Sequence, residues 1–217
     1  GDGNQPYAIT TDPFGNVFVL NLVSNSRIGG SNFGRILKYT AQPGNGLPIA
    51  TIDTNYGGAS LTTDNEGNVY YVEPTGHITK YDNGLTRVIW QRDIGFSSIV
   101  AATDSSGSVY VAGYEDITAG GTHTDDIKVK KYNSAGKFLW QTRFSTDTLE
   151  RAFSILAESP DNFYVGGTQG SNHDRFRVLR YGYGTQGCPD GEIRNPDTGV
   201  CEPLRPCPEG QTRNQDT

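Results

Sequence analysis

The sequence contains no methionine, only three cysteines and two tryptophans, and no apolar run near the roughly 18 residues that span a bilayer. Apolar residues do not recur at helical spacing, and the longest cluster of cations is Lys130-Lys131 in a chain of net charge −6. A negative chain without a basic patch is a poor match for nucleic acid or for an anionic membrane surface. These absences argue against a helical core, membrane insertion and nucleic-acid binding.

The sequence instead repeats one pattern four times. Each copy runs from an apolar strand through an acidic turn into an aromatic strand, and closes with a strand that ends in a cation and a tyrosine. The copies are PYAITTDPFGNVFVL with GRILKY, GASLTTDNEGNVYYV with GHITKY, SIVAATDSSGSVYVAGY with DIKVKKY, and FSILAESPDNFYVGG with RFRVLRY. With 28 glycines and 12 tyrosines, the composition suits tightly packed sheets.

The copies recur at intervals of roughly 40 to 54 residues, which is typical of β-propeller blades. A single four-stranded sheet buries both of its faces only when neighbouring sheets stack on it. We therefore predict an all-β chain, part of a larger β-propeller, with four four-stranded blades at about residues 6–52, 57–94, 96–145 and 151–182. In the third blade, strands a to d are expected at 98–103, 108–114, 126–132 and 137–144.

The acid in each copy is predicted to be structural. Three copies have Asp-x-x-Gly between strands a and b, where the carboxylate accepts backbone N–H groups and the glycine takes a positive φ. These turns begin at Asp12, Asp64 and Asp104. In the fourth copy Glu158 is the acid, and Asp161 holds the glycine position.

The third copy resembles the bacterial β-propeller repeat called SBBP, whose units read A-x-D-x-x-G-N-V-Y-V-x-G, a loop, and D-x-x-V-x-K-Y-x-x-x-G-x-x-x-W. The other copies keep both halves but differ in loop length and mostly lack the tryptophan. The resemblance covers about residues 6–182 and implies a fold rather than an activity, because such repeats occur in secreted, surface and virion-associated proteins.

Residues 183–217 form an irregular tail with a second repeat, which runs from Cys188 to Cys201 and starts again at Cys207. A Cys188–Cys201 disulfide would stabilise this loop by about 3 kcal/mol and would favour an oxidising, extracellular setting. A zinc knuckle is the rival hypothesis, although this spacing without a histidine fits zinc poorly. The Cys-Pro-Gly units resemble linker or stalk segments of extracellular and phage structural proteins. Their second copy stops three residues short of its expected closing cysteine, which predicts a sequence that ends within the motif.

The fourth copy has no evident strand d, because a Gly-rich segment and the cysteine unit follow Tyr181. An open sheet edge invites pairing, so propellers usually complete the last blade with a segment from the other terminus. Three hypotheses follow: these are the last blades of a larger propeller, an upstream strand closes a four-bladed ring, or a partner chain donates the strand. We favour the first.

Recognition is expected on the b–c loops, three of which are long and polar and lie at one end of the propeller. Plain surface variation would explain the same loops equally well. A metal or acid–base site at the two loop histidines is a weaker alternative, since no metal-ligand spacing is present. The candidate binding residues are Asn25, Arg27, Asn32, Asp116, His123, Asp125, Asn172 and His173.

The four cation–tyrosine pairs resemble a sugar-binding ladder, but alternation along strand c favours packing between blades with the cation extending to solvent. They are Lys38-Tyr39, Lys80-Tyr81, Lys131-Tyr132 and Arg180-Tyr181. Trp90 and Trp140 are expected to pack between blades.

Two functional classes are compatible with these features. We favour a non-enzymatic binding or structural module of an extracellular appendage, either a phage tail or fibre component or a bacterial surface adhesin. Its partner would be a surface glycan, a receptor or a neighbouring subunit. The alternative is a propeller lyase or hydrolase whose catalytic residues lie in blades absent from this chain. Neither a Gly-x-Ser-x-Gly motif nor a phosphate-binding loop occurs, so no catalytic residue, metal or cofactor is expected.

Overall fold

The chain is all-β. A computed structural model describes residues 4–24, 32–42, 46–119, 122–146, 148–160, 162–170, 175–181, 192–194 and 201–203. Within these ranges there is no helix long and apolar enough to cross a membrane.

Four antiparallel sheets follow one another along the chain, each with its strands in sequence order. The first sheet consists of β1 (Asn4–Thr11), β2 (Val17–Val23), β3 (Phe33–Tyr39) and β4 (Ala50–Thr54). The second consists of β5 (Ser60–Thr63), β6 (Val69–Glu73), β7 (His77–Tyr81) and β8 (Val88–Asp93). The third sheet consists of β9 (Ser97–Thr103), β10 (Val109–Ala119), β11 (Thr122–Tyr132) and β12 (Phe138–Phe144). The fourth consists of β13 (Glu150–Ser159), β14 (Asn162–Gln169) and β15 (Arg175–Tyr181).

These sheets are the blades of a four-blade β-propeller, which confirms the predicted fold class. We number them one to four and name their strands a to d. The innermost strands contact in succession, β1 with β5, β5 with β9, and β9 with β13. The fourth blade has three strands among the described residues, in agreement with the lack of an evident strand d after Tyr181 in the sequence.

Three apolar cores lie between successive blades, and each uses alternate residues of two facing sheets. Strand b of each later blade contributes to the core shared with the blade before it. The cores are centred on Phe18, Leu20 and Tyr71 between blades one and two, on Tyr70, Trp90 and Val111 between two and three, and on Tyr110, Trp140 and Phe163 between three and four.

Both tryptophans pack between blades, as predicted. Trp90 of blade two lies edge-on to Tyr70, with ring centroids 5.6 Å apart, and contacts Tyr132 of blade three. Trp140 of blade three stacks on Phe163 of blade four at 5.5 Å. Because each blade lends aromatic surface to the next, the stability of any one blade depends on its neighbours.

The acidic turns have the predicted geometry. Oδ1 of Asp12 accepts hydrogen bonds from the amides of Phe14 and Asn16 at 3.0 and 2.8 Å, and Asp64 and Asp104 each accept the same pair within their own turns. The glycine that completes each turn has a φ between 75° and 80°. Asp161, predicted to replace this glycine in the fourth blade, lies outside the described residues.

In the tail, β16 (Glu192–Arg194) pairs with β17 (Cys201–Pro203), and Arg194 lies opposite Cys201. Cys188 and Cys207 lie outside the described residues, so the Cys188–Cys201 disulfide stays a prediction.

Candidate functional site

The b–c end of the propeller differs from blade to blade, and among the described residues blade three has the longest strands there. Its strands β10 and β11 have 11 residues each and pair from Val109 opposite Tyr132 to Ala119 opposite Thr122. Strand b of blade two, by contrast, has five residues. We call this extended pair the blade-three hairpin.

Residues 115–125 were predicted to form the b–c loop of blade three, and this prediction is wrong. Thr, Ile and acidic residues on both sides of the Gly-Gly step form a regular antiparallel ladder, in which Glu115 pairs with Asp126 and Asp116 with Asp125. A ladder holds its side chains at fixed positions, so the hairpin can present a preorganised surface.

Asp125 lies on β11 of this hairpin, three residues from the end of the pairing at Thr122, and is fully buried rather than exposed on a loop. Its Oδ2 accepts a hydrogen bond from Nε of Arg151, the second residue of β13, at 2.5 Å. Asp116 lies directly opposite on the neighbouring strand and is exposed. Two facing carboxylates repel each other, and the Arg151 cation offsets that repulsion.

Arg151 also packs over an aromatic ring, with its guanidinium carbon 4.3 Å from the ring centroid of Tyr114. About a third of its side chain remains exposed, at 34%. The guanidinium therefore has one edge on a buried acid, one face on an aromatic ring, and the remainder directed to solvent.

A second polar network joins the first strand of blade four to its neighbours at the same end. The buried carboxylate of Glu150 accepts hydrogen bonds from the hydroxyls of Thr146 and Thr148. Gln169 donates to Thr146 at 3.1 Å and accepts from Nε of Arg177. Arg177 itself is exposed, so the network ends in a cation at the surface.

A third group of charges lies on the opposite face of the hairpin, toward blade two. Asp126 is fully buried and paired with Arg143, while Lys128 Nζ lies 2.8 Å from Oε1 of Glu115. Both carboxylate oxygens of Asp126 lack a hydrogen bond of regular geometry. The Arg143 cation is what compensates this buried charge.

The structure brings only part of the predicted binding set together. Asp116 and Asp125 form a cross-strand pair, and Asn32 is exposed before β3, on blade one. His123 lies in β11 opposite Thr118. The other four predicted residues, Asn25, Arg27, Asn172 and His173, lie outside the described residues.

Four residues of these networks were not predicted as site residues: Arg151, Tyr114, Glu150 and Arg177. Each sits inside a strand, where neither spacing nor composition distinguishes it from an ordinary surface position. The packing of two blades decides which cation meets a buried carboxylate, as Arg151 meets Asp125, so no signal in the local sequence identifies that cation. Among the described residues, no group of three His, Cys, Asp or Glu side chains is arranged to hold a metal ion.

The opposite end of the propeller, formed by the a–b and c–d turns, carries buried ion pairs. The cation of each cation–tyrosine pair was expected to extend to solvent, and for the first three blades this is wrong: Lys38, Lys80 and Lys131 are all buried. Lys80 Nζ lies 2.8 Å from Asp64 Oδ2, and Lys131 Nζ lies 3.1 Å from Asp104 Oδ2. Tyr81, Tyr132 and Tyr181 pack in or against the cores between blades, as expected, whereas Tyr39 is half-buried and belongs to none of these cores.

Each of these lysines also reaches the following blade. Lys38 donates to the carbonyl of Asn83 at 2.9 Å, Lys80 to that of Ser134 at 3.0 Å, and Lys131 to that of Pro160. The ammonium group further lies over the aromatic residue six positions after the acid, within 4.7 to 5.3 Å of its ring centroid. We call the acid, the lysine and this ring the blade lock.

The lock of blade one gives a prediction for pH dependence. Burial acts to raise the pKa of Asp12, but hydrogen bonds from Asn16, Asn83 and Phe14 outweigh it and hold the pKa below its ordinary value of about 4. A carboxyl whose pKa is lowered on folding stabilises the native state above its unfolded pKa, and this contribution is lost as the pH falls through the folded pKa.

Replacing Asp12 with asparagine should therefore lower the free energy of unfolding by about 1.5 to 3 kcal/mol at pH 7, because an amide cannot accept at both positions. The difference from the wild type should shrink as the pH falls from about 4 to 2. Thermal denaturation of both proteins across this range would check it. A constant difference at every pH would contradict the role given to the Asp12 charge.

No model of a known protein family matches the chain, and no curated protein matches it. Among solved structures, the chain is similar to a protein of unknown function from Bacteroides caccae, with a TM-score of 0.50 and 14% sequence identity. The similarity covers 80% of this chain and 59% of that chain, so this chain spans less than two thirds of its length. At this identity the similarity concerns the fold alone.

Proposed function

We propose that the chain is a non-enzymatic binding module of an extracellular appendage, such as a phage tail or fibre component or a bacterial surface adhesin. It recognises a glycan, or a neighbouring protein, through the b–c end of blades three and four. The observation that carries the proposal is the blade-three hairpin, because it is an extended, regularly paired element with charged and aromatic groups along it.

The chemistry of these groups suits a polar ligand of low net charge. Arg151 and Arg177 supply exposed donors, Asp116 supplies an acceptor, and the ring of Tyr114 lies beside them. Sugar hydroxyls both donate and accept, so they match such a mixed surface better than a phosphate or a single ion would. Because the buried partners Asp125 and Gln169 already hold the two cations, little side-chain entropy is lost on binding.

A glycan microarray with the full chain tests this proposal. We expect selective binding to a subset of oligosaccharides, and we expect Arg177→Ala to weaken it by at least about tenfold, a loss typical of a binding hot spot. Arg87→Ala is the matched control, because Arg87 is an equally exposed arginine on the c–d turn at the opposite end. Its affinity should stay within about twofold of the wild type.

Two results would count against the proposed site. Absence of binding to every glycan would remove the carbohydrate as ligand and leave protein recognition to be tested with the same variants. An equal loss in Arg177→Ala and Arg87→Ala would indicate non-specific electrostatic binding, because the two residues lie at opposite ends of the propeller.

A further inference from the structure

The outer face of blade four is an exposed apolar surface. Phe176 and Val178 of β15 are 77% and 59% exposed, and Leu156 of β13 is 61% exposed. Phe153, at the bulge of the same inner strand, is also exposed. Contiguous apolar surface of this kind on a folded protein marks an interaction site.

This face is built like the interior faces of the propeller. Arg180 lies over the ring of Tyr164 at 5.8 Å, as Lys80 lies over Tyr70 at 5.0 Å in blade two. Asn162 joins this pair to the acid, since it donates to Glu158 at 2.5 Å and lies 3.5 Å from Nε of Arg180. The complete set of blade-lock residues is thus present in blade four, but Arg180 and Glu158 are exposed where their counterparts are buried.

The complementary face lies at the other end of the blade array, on blade one. Its residues Val17, Val19 and Tyr39 occupy the positions of Val109, Val111 and Tyr132, which form the acceptor side of the core between blades two and three. In blade one these residues are only half-buried, and Tyr7 and Ile9 beside them are exposed. Within the described part of the chain, blades one and four share no interface comparable to those between successive blades.

The hydrogen-bonding groups of the two faces also match. Lys38 and Lys80 donate to the carbonyl of the second residue after the closing tyrosine of the next blade, which is Asn83 or Ser134. The same position in blade one is Ala41. Along the inner strands, Thr63 donates to the carbonyl of Thr11 at 2.8 Å, and Thr103 donates to that of Thr63 at 2.6 Å. Thr11 is the equivalent threonine of blade one, so its hydroxyl is the group that would donate to a preceding blade.

We propose that these two faces bind each other between copies of this chain, so that blade four of one copy packs against blade one of the next. Arg180 then donates to the Ala41 carbonyl of the second copy, and the four apolar residues of blade four cover Val17, Val19 and Tyr39. The occupant is a second copy because its blade one supplies the same acceptor surface that this chain uses three times internally. The contact is head to tail, and it closes into a ring or continues as a filament according to the rotation between blades.

Sedimentation velocity of the full chain, under reducing conditions that exclude a tail disulfide, tests the proposal. We expect the wild type to form species of at least twice the monomer mass as its concentration rises to about 100 μM, a range in which contacts of moderate affinity are populated. Val178→Asp removes the blade-four face and Ile9→Asp removes the blade-one face, and each variant should remain a monomer. Val88→Asp, at an exposed apolar residue of the outermost strand of blade two, should assemble like the wild type.

Mixing the two monomeric variants separates this contact from other modes of association. A Val178→Asp copy still has an intact blade one, and an Ile9→Asp copy has an intact blade four, so an equimolar mixture should form a dimer and nothing larger. Recovery of the dimer also demonstrates that both variants are folded. A wild type that stays monomeric, or a mixture that stays monomeric while the wild type assembles, would overturn the proposal. Glycan binding at the b–c end would be unaffected by either result.

Discussion

Replacing Lys131 with methionine should destabilise the protein by about 3 to 5 kcal/mol, the range typical for removal of one partner of a buried ion pair. Lys131 and Asp104 are both almost completely inaccessible to water, and their charged atoms are 3.1 Å apart. Methionine fills a similar volume, so the main cost is the uncompensated charge of Asp104. The Tyr110 hydroxyl, which donates to Asp104 at 3.1 Å, would offset only part of it. Equilibrium denaturation in urea would measure the change.

Arg180→Met is the matched control for Lys131→Met. It removes the same kind of cation from the same position of the repeat, but Arg180 and its acid Glu158 are exposed. Exposed ion pairs contribute up to about 1 kcal/mol, so the control should cost no more than that at concentrations where the chain is a monomer. Similar losses in the two variants would contradict the view that burial makes the blade lock important.

Replacing Phe163 with alanine should also cost about 3 to 5 kcal/mol, because it opens a cavity in the core between blades three and four. The Phe163 ring is completely buried and stacks against Tyr181, with ring centroids 4.7 Å apart and planes at 3°. It also contacts Tyr110 and Trp140 of blade three, at 5.1 and 5.5 Å. The midpoint of urea denaturation, together with the near-ultraviolet circular dichroism of the aromatic core, would report the loss.

Phe176→Ala provides the control on the adjacent strand. Phe176 is a phenylalanine of the same blade, but it lies on the outer face and is largely exposed. In dilute solution its replacement should change the free energy of unfolding by less than about 0.5 kcal/mol. If both variants lost the same amount, Phe176 would be packed within the monomer, and the outer face of blade four would not be open.

The strands of this fold were predictable because each blade repeats a short alternating pattern. In blade three, strands a and d begin and end within one residue of their predicted positions. The turn acids were assigned correctly for the same reason, since a carboxylate followed by a glycine at fixed spacing encodes its own hydrogen bonds. Local sequence therefore carries most of the secondary structure here.

Contacts between blades were not predictable from the same patterns. Lys131 precedes a tyrosine in a strand, and nothing in that dipeptide identifies Asp104 as its partner or Pro160 as its acceptor. Asp125 and Arg151 belong to different blades, so only the packing of β11 on β13 joins them. Residues 115–125 of the hairpin were taken for a loop because a polar segment that contains Gly-Gly resembles one. Antiparallel pairing is a property of two segments together, so neither segment alone reveals it.

The lock between blades has an evolutionary consequence. Asp104 and Lys131 come from one blade, and the following blade supplies only the backbone carbonyl of Pro160. Asp64 and Lys80 likewise need only the carbonyl of Ser134. Every amino acid carries that carbonyl, so these two locks do not depend on the side chain at the acceptor position, whereas the lock of blade one also uses the side chain of Asn83. A blade that ends in either of these locks can therefore be followed by a blade of different sequence at the acceptor position, which favours the addition or exchange of whole blades.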